Sequence, residues 1–182
     1  MTIKRIILSF IILISSLSAF AGGIGTWKSY LSYANIQWVE QGGNRLYVLA
    51  SNALYTYNKA DQSIQTYDKQ NGLSSIDIRF IGWNEVAKRL VIVYEDNNID
   101  LMDAKGNVTN VPDYYLKALT SDKTIYSIDM NGAYCYLSTG FGLVKLNVAK
   151  AEISDSYNLS FPVNYSYLDG SYIYAASQSN GL

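Results

Sequence analysis

Three observations place the chain in the all-β class, as part of a β-propeller. The segments beginning at Leu46, Val91, Cys135 and Ile173 resemble one another and are spaced 45, 44 and 38 residues apart. Each holds short alternating runs rich in Tyr, Val and Ile, with no helical spacing. Asn, Asp, Gly and Ser punctuate every break. A period near 40–50 residues carrying four short strands is that of a propeller blade; helical repeats of the same length need a 3.6-residue apolar period.

The first blade, near 34–70, is predicted to use strands at 36–40, 45–50, 54–58 and 64–68. The second, near 76–112, uses 76–83, 90–94, 99–103 and 108–111. The third, near 124–158, uses 124–129, 133–138, 143–147 and 152–157. The fourth, at 163–182, is truncated, with strands at 163–168 and 172–176. Tight hairpins join strands within a blade, as at 103–107 and 129–132, and longer crossovers link blades at 69–75 and 113–123. Only two prolines occur, Pro112 and Pro162, both near blade junctions, where a lost ladder donor matters least. Propellers typically close with four to eight blades. About three and a half blades at 22–182 are therefore expected to be an incomplete N-terminal propeller, insoluble or oligomeric when expressed alone.

The start of the chain reads as an export signal. Lys4 and Arg5 precede an apolar run from Ile6 to Phe20, interrupted only by serines, and Ala19-Phe20-Ala21 forms a small-residue cleavage site before Gly22. The run has 15 residues, short of the ~20 a spanning helix needs. Residues 1–21 are thus expected to be a signal peptide, with no lipobox cysteine after it. Cleavage changes the formal charge from −1 to −3, because Lys4 and Arg5 leave.

Composition narrows function by exclusion. The 182 residues include no His and a single Cys, so no Ser-His-Asp or Cys-His nucleophile, no His-ligated metal and no intrachain disulfide can form within them. Charged residues are only 16%, with no basic run, which argues against nucleic acid as a partner. Cys135 aligns with Leu46 and Val91 and is expected to be a buried apolar residue. Glu95-Asp96-Asn97-Asn98-Ile99-Asp100 is oxygen-rich, but it lacks the glycine and closing glutamate of an EF-hand and coincides with a hairpin turn. Asp77, Asp100, Asp129 and Asp155 fit turns or strand edges, and no pair stands out for acid–base work. No catalytic residue, cofactor or metal is assigned. Most of the 17 tyrosines fall in strands, where they suit packing between blades. Tyr114, Tyr115 and Tyr165 lie outside that pattern and are the candidate ligand-stacking residues.

Asn71-Gly72-Leu73-Ser74-Ser75, followed by Ile76 to Ile81, resembles the NGLS crossover of two-component regulator propeller repeats. Gly142-Leu143 and Asn180-Gly181-Leu182 resemble the same repeat's NGL turn, whereas Ala53-Leu54 and Asn98-Ile99 depart from it. A narrower resemblance is to the N-terminal propeller of PorZ-like proteins, components of the type IX secretion system of Bacteroidota. It is carried by Gly25-Thr26-Trp27, Tyr30 to Tyr33, Asn98 to Leu101, Asn110 to Asp113, Tyr136 to Leu143 and Glu152 to Asp155. That resemblance implies a non-enzymatic exported scaffold at the periplasm or outer-membrane cell surface. It implies the sortase and the other attachment-complex proteins as partners, and delivery of anionic lipopolysaccharide to the sortase for cargo anchoring. The rival reading is the periplasmic sensor propeller of a hybrid histidine kinase, binding an oligosaccharide.

Overall fold

The computed structural model describes residues 31–181. The expected leader, with Ala19, Ala21 and Gly22, lies outside them, as do Leu182 and the motif residues up to Tyr30. The described chain folds into antiparallel meanders. The first sheet runs β1 (Ile36–Gly42), β2 (Arg45–Ala50), β3 (Ala53–Asn58) and β4 (Ile64–Tyr67). The second runs β5 (Ile78–Asn84), β6 (Arg89–Tyr94), β7 (Ile99–Asp103) and β8 (Val108–Asn110). The third runs β9 (Ile125–Asn131), β10 (Tyr134–Thr139), β11 (Gly142–Asn147) and β12 (Glu152–Asn158). A fourth sheet pairs β13 (Tyr165–Asp169) with β14 (Tyr172–Ala176). β1, β5, β9 and β13 lie side by side across the sheet boundaries, so the sheets radiate from a common axis as propeller blades do.

Packing between blades makes the core. Tyr47, Leu49 and Leu54 of the first blade close on Ile81, Trp83, Leu90 and Ile92 of the second. Tyr47 stacks on Trp83 with ring centroids 5.3 Å apart. Val91, Val93 and Leu101 meet Cys135, Leu137 and Val144 in the same way. Cys135 is fully buried, as its place in the repeat predicts, and burial pushes its thiol well above the ordinary range.

The crossovers act as plugs, which explains where the first strands begin. Expected starts at 76, 124 and 163 become Ile78, Ile125 and Tyr165. In the last case Val163 is a fully buried crossover residue, like Leu73 and Val111 before it, and so is not part of the strand face. The crossover at 113–123, read as a loop, opens with a short helical turn, α1 (Asp113–Leu116), whose Tyr114 enters the core.

The NGLS segment has a physical role. Gly72 takes φ +123°, a conformation that side-chain-bearing residues avoid. Leu73 is thereby buried, Ser74 N–H donates to Asp100 at 2.8 Å, and Ser75 Oγ donates to Asp96. Asp100 therefore corrects the turn-or-edge reading. It lies inside β7, fully buried, and also accepts from Tyr94 OH at 2.6 Å and Asn110 Nδ2 at 2.8 Å. A central position in a strand buried on both faces can hold a carboxylate only when its oxygens are engaged in this way. Asp96 likewise accepts from Asn98 N–H at 2.9 Å, so this acidic stretch ties the crossover to the hairpin.

Candidate binding cleft on the axis side of the sheets

The first strand of each complete blade carries an irregularity at the same place. The pairing of β1 with β2 shifts register between Ile36 and Trp38, and that of β5 with β6 between Ile78 and Phe80. The pairing of β9 with β10 shifts where Thr139 pairs Ile125 and Ser138 pairs Ser127. The residues left over are Gln37, Arg79 and Tyr126. Each follows an isoleucine, and each is re-aimed by its bulge out of the regular alternation.

All three line one cleft of about 660 Å³ along the axis side of the sheets, together with Trp38, Asp129 and Tyr165. Their side chains are held from the side. Gln37 Nε2 donates to Asn52 Oδ1 at 2.8 Å, and its Oε1 accepts from Asn52 N–H at 2.8 Å. Arg79 pairs with Glu95 at 3.4 Å and lies over the Phe80 ring. Tyr126 OH donates to Asp122 at 2.9 Å. Trp38 Nε1 donates to Glu40 at 2.7 Å, fixing a ring that is 57% exposed. Tyr165, at the start of β13, is 66% exposed.

Charge in the cleft is uneven. Hydrogen bonds from the Thr124 amide and hydroxyl hold the Asp122 carboxyl below its usual range, with a smaller contribution from Arg79. Partial burial raises Asp129 instead. Among the described residues Arg79 is the one cation lining the cleft and is already matched by Glu95, so Glu40 and Asp129 leave this lining acidic.

The other two sequence candidates are elsewhere. Tyr114 edges a crevice of about 430 Å³ between the 113–121 crossover and the third blade. Its ring is buried, its hydroxyl donates to the Lys123 carbonyl at 2.7 Å, and burial raises its phenol. Tyr115 is 45% exposed on α1 and lines neither space. Tyr165 alone of the three reaches the axis. Sequence reasoning missed Gln37, Trp38, Arg79 and Tyr126. The pairs Ile36-Gln37, Ile78-Arg79 and Ile125-Tyr126 would have marked the bulges, had the repeat been aligned on first strands. Among the described residues no cluster of three or more Cys, Asp or Glu is placed to hold a metal ion, and no helix is long and apolar enough to cross a membrane.

Comparison with known proteins gives the following. Residues 46–182 match the model of the type IX secretion system PorZ N-terminal beta-propeller domain. Among solved structures, the chain resembles PorZ of Porphyromonas gingivalis, described as an essential bacterial surface component of the type-IX secretion system. The identity is 30% and the TM-score 0.77, covering 85% of this chain and 21% of that one. It also resembles the extracellular domain of the BT4673 hybrid two-component system of B. thetaiotaomicron, with 18% identity and TM-score 0.61 over 78% of this chain and 19% of that one. AztD of Citrobacter koseri gives 14% identity and TM-score 0.60 over 78% of this chain and 40% of that one. The last two likenesses are of fold alone. No curated protein matches the chain.

Proposed function

The chain belongs to the family of N-terminal β-propeller domains of the type IX secretion protein PorZ, and from that membership we propose that it is a non-enzymatic scaffold of the type IX attachment complex. In this reading the protein is exported through the leader at 1–21 and works at the outer-membrane cell surface. There it presents anionic lipopolysaccharide to the sortase that anchors secreted cargo. The observation that carries the proposal is the family match over residues 46–182, backed by 30% identity to a surface component of that system. The architecture supports it. Rigid blades with exposed hairpins, such as that at 103–107, suit the holding of partners, and the 182 residues contain no histidine for general-base chemistry.

The test uses the full-length protein in a bacterium that encodes it. Deleting its gene is expected to leave secreted cargo with uncleaved C-terminal signals and without lipopolysaccharide. Tagged full-length protein is expected to co-purify with the sortase, and its mature form to begin at Gly22. Normal cargo processing in the deletion strain would sink the proposal. The fold likeness to a two-component extracellular domain favours one alternative, a ligand-sensing propeller of a hybrid histidine kinase. That reading predicts a lost transcriptional response to an oligosaccharide with cargo anchoring intact.

A further inference from the structure

We propose that the axis cleft is a binding site for a neutral glycan, read by the side chains that the three first-strand bulges present. The inference does not rest on the attachment-complex reading. It starts from repetition: a β-bulge costs ladder hydrogen bonds, yet one stands at the same point of β1, β5 and β9. At that point the three blades carry an amide, a guanidinium and a phenol, in Gln37, Arg79 and Tyr126. A purely structural bulge places no demand on the side chain; here all three residues line one cleft and each is anchored sideways by a hydrogen bond or ion pair. That is preorganisation of polar groups around a concave space.

The chemistry of the lining selects the ligand class. Trp38 and Tyr165 offer exposed flat rings from opposite ends of the row of strands, and the C–H faces of a pyranose stack on such rings. Gln37, Glu40 and Asp129 supply donors and acceptors matched to hydroxyls. Charge excludes the alternatives. With Arg79 already paired to Glu95, a phosphate or carboxylate entering the cleft would face Glu40 and Asp129 with no free cation among the described residues. The cleft is therefore a poor seat for the charged groups of an anionic polysaccharide and a good one for an uncharged stretch of sugar.

The test is binding of maltohexaose, cellohexaose, hexagalacturonate and hexalysine to the full-length protein, read by calorimetry and tryptophan fluorescence. At least one neutral hexasaccharide is expected to bind and to perturb tryptophan emission, with hexagalacturonate about tenfold weaker or worse. Trp38→Ala and Tyr165→Ala should each weaken binding about tenfold. Both rings are more than half exposed, so the fold is expected to survive, as melting curves will report. Tyr115→Ala, outside the cleft, should leave binding unchanged. No binding of either neutral sugar, tighter binding of hexagalacturonate or of hexalysine, or full affinity in both cleft variants would overturn the proposal. Loss of cargo anchoring on gene deletion would not bear on it, so the two readings fail separately.

Discussion

Tyr47 and Tyr94 are both wholly buried phenols, and the difference between them lies in their hydroxyls. Tyr94 donates to Asp100, within the network that also fixes Ser74 and Asn110. Tyr47 stacks on Trp83, but its hydroxyl has no partner among the described residues. A buried polar atom left unpaired costs about 1–3 kcal/mol. Tyr47→Phe keeps the stack and deletes the orphan, so it is expected to stabilise the fold by about 1 kcal/mol, measured by denaturant melts. Asp100→Asn should act oppositely, turning an acceptor of three hydrogen bonds into a group whose NH₂ faces donors, at a loss of about 2–3 kcal/mol. The same phenols set the alkaline limit. Burial first, then the Asp100 charge, raises Tyr94, and burial raises Tyr47 and Tyr114. In the unfolded chain they would ionise near about 10. Above that pH the unfolded state binds fewer protons than the folded one, so stability, intact below it, falls as pH rises. Phenolate absorbance from these residues should therefore appear only together with loss of the sheet circular-dichroism signal. Ionisation of the full tyrosine complement while the sheets stay intact would contradict their burial.

A turn decides whether a blade has its outermost strand. Gly142 opens β11 at φ +145°, and a Cβ there would overlap the Tyr157 carbonyl oxygen of β12. Gly142→Ala must move β12 or twist the hairpin, so a loss of about 2–4 kcal/mol is expected, with amide exchange rising first along β12. Unchanged protection of β12 would show that the hairpin absorbs the methyl group. The first two blades meet the same need differently. Ser51 and Asn52 both take positive φ in a two-residue hairpin, and Asn97 does so in the second blade. The Asn52 carbonyl and the Asn97 side-chain Oδ1 then reach onward, accepting from the Ile78 and Ile125 N–H groups of the following blades. This is why the Gly-Leu pattern fades there without loss of the turn. Period and alternation carried the strands into the sequence reading because burial between blades enforces both. The boundaries were less legible. Val163 is as apolar as a strand residue but belongs to a crossover plug, and Asp100 looks like turn chemistry but sits in a core network. The cleft was least legible of all. Only Tyr165 was singled out, since a bulge is a matter of pairing between strands and leaves just one faint trace, the isoleucine that precedes each bulged residue.

At the scale of the whole molecule, two surfaces contrast with the packed interior. The fourth sheet exposes Tyr167 and Tyr172, and the first exposes Ile36, Val39 and Ile64. Among the described residues the two core clusters form where one blade buries its apolar residues against the next. β14 adds an edge whose backbone groups can pair with another chain. Apolar surface beside an open edge favours association. Residues 22–182 on their own are therefore expected to form oligomers or aggregates at micromolar concentration, seen by light scattering with size-exclusion chromatography. The contributions can be separated. Tyr167→Ser together with Tyr172→Ser removes apolar surface and leaves the β14 backbone free, so it should reduce association without abolishing it. Ala175→Pro would remove an N–H that points outward from β14, because Ala175 faces Ser166 in a non-hydrogen-bonded pair, and should reduce it further. A monodisperse monomer for the unmodified segment would mean that these faces are tolerated in water, and that contact with a further blade is not what they are built for.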